Sequence, residues 1–471
     1  MKFLMLVDMS PLTIMLSELG KELTRRGHVV EWACESRIPI IKYDLDIGKN
    51  ATFLTDFTEA GCKVKNSFGN VGYIMFPNYD RDYELGLHRP GRYGYETANE
   101  MLAYFDQIFS KSDPDCVVYE NVSNSFSYAA YLIAKKYNKR YMGLIGSRIP
   151  GRFEIWPSPF GIQDHIIREM NKGEGRLGLE ADEFSRKCVD EKRPPIPDYM
   201  KNNPSSYKKK YILHYIGKIA EDPDIFKKIF NPVVRKEGDV SRQTPPLFDQ
   251  VLARLKRNLR RKITLWKLDK MFVDPDLEER YLIYPLHYHP ESSTSVLSPA
   301  YVDEDVVIKN IAFNLPDNVL LYVKDHPNAA GFKGLSYYRR ICSLPNVRLI
   351  DYRFPTNKLL EKSEGVVTLT STMGFEALLH EKPVYCLGEA FYTPHRMCFK
   401  LRSAFDLKKA YNDFQKNRFG CSDFREENLK FVRSYYLSTY EGRLIIERKS
   451  QSPEMTRKIA NALESALNVS C

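Results

Sequence analysis

The sequence predicts an α/β protein with two parallel sheets, each covered by helices, and a mainly helical segment between them. Apolar, β-branched runs alternate with helical patterns over residues 1–156 and again over residues 276–404. Such alternation is typical of parallel sheets that are covered on both faces. Strand-like runs are missing from residues 157–275, where charged helical patterns dominate. At 471 residues, the chain is also too long for one typical domain.

The first domain, residues 1–156, opens with a strand, a helix and a second strand. Residues 2–7 are apolar, and a helical pattern then runs from Leu12 to Arg26. Gly27 follows at a position where glycine commonly ends a helix. The alternation continues with a helix at 102–109, a strand at 116–119, a helix at 127–137 and a strand at 140–145. We therefore expect a Rossmann-like sheet, and we expect this domain to contact the acceptor of any reaction.

The second domain, residues 276–404, repeats this pattern. Its strands are predicted at 281–284, 319–323, 347–350, 366–369 and 383–387. Residues 157–275 are expected to form a helical insertion or linker between the domains. Residues 405–471 are helical and charged, and we expect them to pack back on the cleft between the two domains.

The composition limits the classes of partner and compartment. The net charge of +10 favours anionic partners without choosing among nucleotide, nucleic acid and acidic lipid. The nine cysteines are odd in number and form no C-x-x-C pair, which argues against a disulfide framework and fits a reducing compartment. The apolar start of the chain is too short for a signal peptide or a membrane span. We expect a cytoplasmic protein, and a peripheral position on the inner face of the membrane is one option.

The first candidate site follows the predicted strand at 319–323. Lys324 and His326, the latter followed by Pro327, lie in the loop that leaves this strand. Ligands of open parallel sheets bind at the carboxyl ends of the strands. A lysine and a histidine at this position suit a phosphate group, and His326 is placed to stabilise a departing phosphate. The alternative is a histidine that merely caps the loop.

The second candidate site follows the predicted strand at 366–369. Ser371, Thr372 and Gly374 read as a turn that enters a helix, and Glu376 comes one turn later. Free N–H groups and the helix dipole make such a start suitable for an anion. Glu376 is placed to reach a ribose hydroxyl. An ordinary helix cap is the alternative, and the two interpretations are compatible.

The loop after the strand at 281–284 carries the third candidate. His287, His289 and Glu291 are spaced like part of a metal site, but no further ligand accompanies them, so we predict no metal. Contact of His287 with a bound donor, or closure of a cleft, is the preferred interpretation. A purely structural loop is the alternative.

Two carboxylates at strand ends of the first domain are candidates for the acid or base of the reaction. Glu120 ends the strand at 116–119, and Asp8 ends the strand at 2–7. A transferase needs a carboxylate or a histidine to take the proton of an acceptor hydroxyl, or to act as nucleophile. A turn or cap role is the alternative for both residues.

Residues 253–262 form a basic amphipathic helix in the sequence pattern. Six Lys and Arg residues are interleaved there with Leu255 and Leu259. This helix is either a solvated surface or a contact for an anionic membrane or acidic acceptor. Nucleic acid is not expected, because no recognition motif accompanies the charge.

These segments resemble the bacterial capsule polysaccharide biosynthesis glycosyltransferases, a group that includes Kdo transferases, and are similar to sialyltransferase-type enzymes. The resemblance covers about 281–395. It rests on His326-Pro327, on the run from Ser371 to Leu378 and on Lys382-Pro383-Val384 with the following Gly388 to Tyr392. Glu381 and Ala390 depart from the family pattern. The resemblance implies the GT-B fold, two Rossmann-like domains facing a cleft, with the His-Pro and Ser-Thr segments binding a CMP moiety.

The function expected from residues and resemblance together is glycosyl transfer without a metal. The donor is a nucleotide sugar linked to CMP or UDP, with an acidic sugar such as Kdo as one candidate, and no further cofactor is expected. The acceptor is a surface polysaccharide or a lipid-linked glycan. Two alternatives stay open: a nucleotide-sugar epimerase of the same architecture, and a non-catalytic protein that binds glycan or assists export.

Overall fold

The computed structural model divides the chain into two compact units. It describes residues 1–61, 72–88, 93–172, 178–198, 230–241, 243–417, 421–444 and 452–468, together with Lys227. Unit 1 comprises residues 1–159, 196–254 and 439–471, and unit 2 comprises residues 160–195 and 255–438.

The strands are β1 (Lys2–Val7), β2 (Val29–Cys34), β3 (Ala51–Phe53), β4 (Cys116–Glu120), β5 (Arg140–Gly146), β6 (Arg152–Trp156), β7 (Tyr281–Pro285), β8 (Leu320–Lys324), β9 (Val347–Ile350), β10 (Val366–Thr368), β11 (Val384–Cys386), β12 (Cys398–Lys400) and β13 (Tyr440–Glu441).

The helices of the first half are α1 (Thr13–Arg25), α2 (Ile38–Tyr43), α3 (Leu54–Glu59), α4 (Gly72–Leu85), α5 (Tyr95–Ser112), α6 (Ser125–Lys136), α7 (Asp164–Asn171), α8 (Leu179–Asp190) and α9 (Pro232–Val240). Those of the second half are α10 (Leu247–Leu268), α11 (Ser292–Ser295), α12 (Glu304–Ala312), α13 (Leu335–Cys342), α14 (Thr356–Lys362), α15 (Met373–Leu379), α16 (Leu407–Asn417), α17 (Cys421–Ser438) and α18 (Pro453–Asn468).

Unit 1 is built on a seven-stranded sheet in the order β13-β6-β5-β4-β1-β2-β3. The strands from β5 to β3 in this order run parallel, whereas β6 and β13 pair antiparallel at one edge. β1 and β4 are buried along nearly their whole length, as expected of central strands covered on both faces.

Helix α1 shows why the first βαβ segment folds as predicted. Leu16, Leu19 and Leu23 recur at helical spacing and are fully buried. A Cβ at Gly20 would come within 2.5 Å of the Trp32 ring, so this position accepts only glycine at the present distance between α1 and β2. Gly27 has a φ of 85° and follows the helix end, where left-handed backbone favours glycine.

Unit 2 is built on a six-stranded sheet in the order β12-β11-β10-β7-β8-β9, with every pair parallel. Its core joins apolar side chains of β7, β8, β9 and β10 to those of α12, α13 and α16. The predicted α/β class with two Rossmann-like sheets is confirmed. The predicted arrangement of the two domains about a cleft stays a prediction.

The segment expected as one helical insertion, 157–275, is divided between the two units. Residues 160–195 group with unit 2 and residues 196–254 with unit 1, so the chain passes between the units more often than its sequence suggests. The C-terminal residues are divided as well, since α16 and α17 lie in unit 2 while α18 lies in unit 1. Glu464 of α18 accepts hydrogen bonds from Arg26 at 2.8 Å. Among the described residues, no helix is long and apolar enough to cross a membrane.

Candidate functional site

The predicted donor segments of unit 2 leave strands that are close together in its sheet. β7 lies between β10 and β8, and its Ile283 pairs with Val366 on one side and with Tyr322 on the other. Two residues later, Pro285 pairs with Lys324. All three strands are parallel, so the loops that follow them begin at one edge of the sheet. This edge is where ligands of open α/β sheets bind.

His326 starts a tight turn, and among the described residues no hydrogen bond involves its Nε2. Its carbonyl accepts from the N–H groups of Ala329 and Ala330, both at 2.9 Å. Its Nδ1 accepts from the N–H of Asn328 at 3.1 Å, which places the proton of the neutral ring on Nε2. Burial, with a smaller contribution from nearby His287, lowers the pKa of His326 to about 4. At neutral pH, His326 is therefore an uncharged donor through Nε2.

Lys324 is a buried cation at the end of β8. Only 3% of the residue is exposed, and Nζ donates to the carbonyl of Tyr352 at 2.8 Å. Burial lowers the pKa of Lys324, while the carboxylates of Asp325, Asp351 and Glu376 oppose that shift. This is the one hydrogen bond of the ammonium within the described part of the chain, so two donors are left for a bound anion.

Asp325 was not among the predicted site residues, yet it holds the His326 loop. Its Oδ1 accepts from the N–H of His326 at 2.7 Å, and its Oδ2 accepts from the Tyr338 hydroxyl at 2.8 Å. The N–H of Gly331 donates in turn to the Tyr338 oxygen at 2.9 Å. Burial raises the pKa of Asp325 to about 7. The loop is thus fixed at both ends by one buried carboxyl and one tyrosine.

Ser371 and Thr372 form the turn before α15. The N–H of Ser371 donates to Thr368 Oγ1 at 3.1 Å, and Ser371 Oγ accepts from the N–H of Met373 at 3.3 Å. The Thr372 side chain does not cap the helix. Ser371 therefore organises the turn, and the described residues offer no acceptor to its hydroxyl proton, which is left for a ligand.

Gly374 is required by packing. A Cβ there would lie 2.4 Å from the hydroxyl oxygen of Tyr392, and that hydroxyl donates to the carbonyl of Ser371 at 2.6 Å. The glycine thus lets Tyr392 hold the turn from behind. This contact explains Gly374 without a ligand, whereas the sequence suggested a binding role.

Glu376 lies in the first turn of α15 and interacts electrostatically with Lys324 at the end of β8. Burial raises the pKa of Glu376 to about 7, and the Lys324 charge opposes the shift. The negative charge of Glu376 in turn opposes the lowering of the Lys324 pKa, so each group favours the charged form of the other. Among the hydrogen bonds of the described residues, none involves the Glu376 carboxylate, which leaves both oxygens for a ligand.

His287 is engaged by the protein on both ring nitrogens. Its Nδ1–H donates to Glu304 at 2.7 Å, and its Nε2 accepts from the N–H of Thr370 at 3.1 Å. The Glu304 carboxylate also accepts from the backbone N–H of His287. His287 therefore joins the ends of β7 and β10 and positions the turn at Ser371. We replace the predicted ligand contact of His287 with this positioning role.

The H-x-H pattern of the same loop has a structural explanation. His289 is 5% exposed, and its Nδ1 lies 2.8 Å from the hydroxyl of Thr294. Within the described part of the chain, no group of three or more His, Cys, Asp and Glu side chains is arranged to hold a metal ion. Metal independence of the activity stays a prediction.

In unit 1, Glu120 has the properties of an acid or base. It is half-buried at the end of β4, and its two oxygens accept from the hydroxyls of Ser10 at 2.6 Å and Ser123 at 2.5 Å. Burial and the nearby charge of Asp8 raise the pKa of Glu120 to about 7, whereas the two hydroxyls oppose the shift. A group that titrates near neutral pH suits proton transfer.

Asp8 is the second predicted catalytic carboxylate. Both of its oxygens accept hydrogen bonds from other residues of unit 1. Its Oδ1 accepts from the hydroxyl of Tyr119 and from the N–H of Ser10, and its Oδ2 accepts from Asn124 at 2.8 Å and Gln243 at 2.7 Å. Only 2% of the residue is exposed. Four donors and no open lone pair indicate an organising role, so we no longer assign Asp8 to catalysis.

Comparisons with known proteins find matches to the part of the chain that carries the unit 2 segments described above. Residues 251–398 match the family model described as "Capsule polysaccharide biosynthesis protein". The capsule polysaccharide export protein KpsS of Escherichia coli is 28% identical over 128 residues, which are 25% of this chain and 32% of that protein. The chain therefore matches about a third of the length of this relative.

Two solved structures are similar at low TM-scores. The beta Kdo 2,4 transferase of Thermosulfurimonas dismutans KpsC is 14% identical, with 75% of this chain and 88% of that chain covered and a TM-score of 0.37. The UDP-GlcNAc 2-epimerase of Neisseria meningitidis is 13% identical, with 99% and 100% covered and a TM-score of 0.28. Residues 251–398, which include the His326 and Ser371–Glu376 segments, are thus similar to the capsule polysaccharide biosynthesis family, and the resemblance noted in the sequence is confirmed.

Proposed function

We propose that the chain is a glycosyltransferase that moves a sugar from a nucleotide-sugar donor to a surface polysaccharide or lipid-linked glycan. The observation that carries this proposal is the set of open polar groups at one edge of the unit 2 sheet. The Nε2–H of His326, the buried ammonium of Lys324 and the Ser371 hydroxyl donate, while Glu376 accepts. Three donors and one carboxylate match the phosphate and the ribose of a nucleotide.

The unit 2 groups bind the donor and stabilise its leaving phosphate. Charge grows on that phosphate as the glycosidic bond breaks, and fixed donors in a dry site stabilise such charge strongly. His326 donates without carrying a charge of its own, because burial keeps its ring neutral at pH 7. Lys324 supplies the positive charge, and a bound phosphate compensates its burial.

We assign Glu120 of unit 1 as the base that takes the proton of the acceptor hydroxyl. Its pKa of about 7 lets it accept a proton at neutral pH and release it afterwards. The donor is linked to CMP or UDP, with an acidic sugar of the Kdo type as the first to test, and no other cofactor is proposed. We place the reaction in the cytoplasm, at the inner face of the membrane.

Product analysis separates this proposal from the two alternatives left open by the sequence. A transferase consumes the donor sugar only when an acceptor is present. An epimerase would convert the donor without any acceptor, and a non-catalytic glycan-binding protein would convert nothing while still binding glycan.

We expect the chain to bind CMP or UDP without a divalent metal. The binding groups proposed above are side chains of the protein, so a chelator should leave the affinity unchanged. Calorimetric titration of each nucleotide, with and without excess chelator, measures this directly. Loss of all binding on addition of chelator would show that a metal completes the site.

Replacing Glu376 with glutamine should weaken donor binding and spare turnover. A ribose contact does not change during the reaction, so its loss raises KM alone. Loss of one charged hydrogen bond corresponds to roughly a tenfold increase in KM. Glu361→Gln, an exposed change on α14, serves as the control. A fall in kcat with KM unchanged would assign Glu376 to the chemical step instead.

A further inference from the structure

Helix α10 carries an apolar stripe on its outer side. Leu255, Leu259, Ile263 and Trp266 follow one another at intervals of four, four and three residues, which places them on one face. They are 63%, 63%, 54% and 67% exposed. Single exposed apolar residues are ordinary, but a continuous stripe marks an interaction surface.

The opposite face of this part of α10 is packed against other residues of unit 2. Arg261, Thr264 and Leu268 are buried, and the Nε–H of Arg261 donates to the carbonyl of Ala330 at 2.8 Å. The Arg261 guanidinium also lies over the ring of Phe332, 4.2 Å from its centroid. The helix is therefore fixed on the protein by one face, and its apolar outer face points away from these contacts.

The charge of α10 indicates what covers the outer face. The helix contains seven Lys and Arg residues and one acid, Asp249. Lys256, Lys262 and Lys267 are exposed, and none forms an ion pair with another described residue. An apolar stripe bordered by unpaired cations is complementary to an anionic bilayer surface, which offers hydrocarbon below and phosphate above.

A pocket at the carboxyl end of α10 extends this surface. It has a volume of about 370 Å³. Three cations and three apolar side chains line it: Lys267, Lys270, Arg339, Trp266, Met271 and Leu335. Trp266 is thus shared by the stripe and the pocket. Tryptophan is favoured at the boundary between head groups and acyl chains.

We infer that α10 lies in the surface of an anionic phospholipid bilayer, with its apolar stripe among the acyl chains. The Lys and Arg residues beside the stripe contact lipid phosphates, and the pocket lined by Trp266 and Lys270 receives a head group. This inference goes beyond glycosyl transfer, because the bilayer is bound whether or not a sugar is transferred. The helix contacts Ala330 in the His326 turn, so docking would bring the donor segment of unit 2 to the membrane.

Flotation of the full chain with lipid vesicles tests the inference. We expect recovery with vesicles of phosphatidylcholine mixed with phosphatidylglycerol, and little with phosphatidylcholine alone. The triple variant Leu255→Ser, Leu259→Ser, Trp266→Ser should lose at least about a hundredfold in partition coefficient. Lys256→Gln, Lys262→Gln, Lys267→Gln should lose about a hundredfold, and high salt should mimic this loss.

Matched control variants distinguish the effect of α10 from a general effect of exposed apolar or charged side chains. Phe313→Ser with Phe405→Ser removes two aromatic side chains that are 74% and 76% exposed elsewhere in unit 2, and binding should not change. Lys309→Gln, Lys409→Gln, Lys416→Gln removes the same charge from other helices and should have a smaller effect. Equal losses in test and control variants would overturn the inference, as would equal recovery with both vesicle types or no recovery.

Light scattering without lipid addresses self-association. A dimeric wild type that becomes monomeric in the apolar triple variant, with no vesicle binding by either, would assign the stripe to a second copy of the chain. CMP and UDP titrations of the same variants should be unchanged. Failed flotation with intact nucleotide binding would therefore overturn the membrane inference and leave the proposed glycosyl transfer standing.

Discussion

Replacing His326 with alanine is expected to lower turnover about a hundred- to a thousandfold in a chain that remains folded. The change removes one donor, Nε2–H, from a phosphate that gains charge in the transition state, and losing such a donor typically costs about 2.7–4 kcal/mol. KM should change little, because the contact strengthens mainly as the bond breaks. The measurement is steady-state kinetics with donor and acceptor varied separately.

Two further variants make this expectation specific. His326→Gln keeps an N–H donor near the position of Nε2 and should recover part of the lost turnover. His380→Ala removes another histidine of unit 2, at the end of α15, and should leave turnover unchanged. Normal kinetics per folded molecule in His326→Ala, together with a lowered melting temperature, would show that His326 is structural.

The residues around His326 differ from it in role. Asp325 and Tyr338 hold its loop, and Glu304 orients His287, which in turn holds Thr370. These side chains are hydrogen-bonded to the protein, so their substitution should act through the geometry of the site. Buried groups that position a reactive side chain in this way commonly matter nearly as much as the side chain itself.

Strands and their ends were predictable because each leaves a local pattern. The apolar runs before Asp8, Glu120, Lys324 and Thr370 locate four strand ends, and the polar residues that follow them are candidates by position alone. The short strands β3, β6, β12 and β13 escaped prediction, because none of them is a continuous apolar, β-branched run in the sequence. β6 and β13 also pair antiparallel, against the alternating pattern of the rest.

Side-chain partners could not be predicted, because they come from distant parts of the chain. Gln243 contacts Asp8 across 235 residues of sequence, and Glu304 reaches His287 from the first turn of α12. A glutamine or a glutamate in a charged helical segment has no local signature that separates it from a solvated one. The sequence therefore located Asp8 and His287 at strand ends. It could not show that their hydrogen-bonding groups bind other side chains of the protein.

Replacing Glu120 with glutamine is expected to lower turnover by about a hundred- to ten-thousandfold, the range typical of a lost general base. In the wild type, kcat should rise with pH and level off above a pKa near 7, because only ionised Glu120 accepts the proton. That limb should disappear in Glu120→Gln. Glu376 titrates over the same range, so the profile is best measured in the Glu376→Gln background.

Ser123→Ala gives the pH limb a second test. The Ser123 hydroxyl donates to the Glu120 carboxylate and stabilises its ionised form, so removing it should raise the pKa and move the limb to higher pH. A merely structural Glu120 would not produce this displacement. An unchanged limb in Ser123→Ala would assign the titration near pH 7 to another group.

Substitutions of Glu120 and Asp8 should change the melting temperature in opposite directions. Burial raises the pKa of Glu120 in the folded chain, so ionisation costs stability as the pH rises from the ordinary pKa of glutamate to about 7. Glu120→Gln removes this cost, and its melting temperature above pH 7 should equal or exceed that of the wild type. Asp8→Asn instead turns an amide group toward the donors of Asn124 and Gln243, and its melting temperature should fall. A chain that melts early with Glu120→Gln, or keeps full turnover with it, would remove Glu120 from the mechanism and return the search for the base to the other strand ends of unit 1.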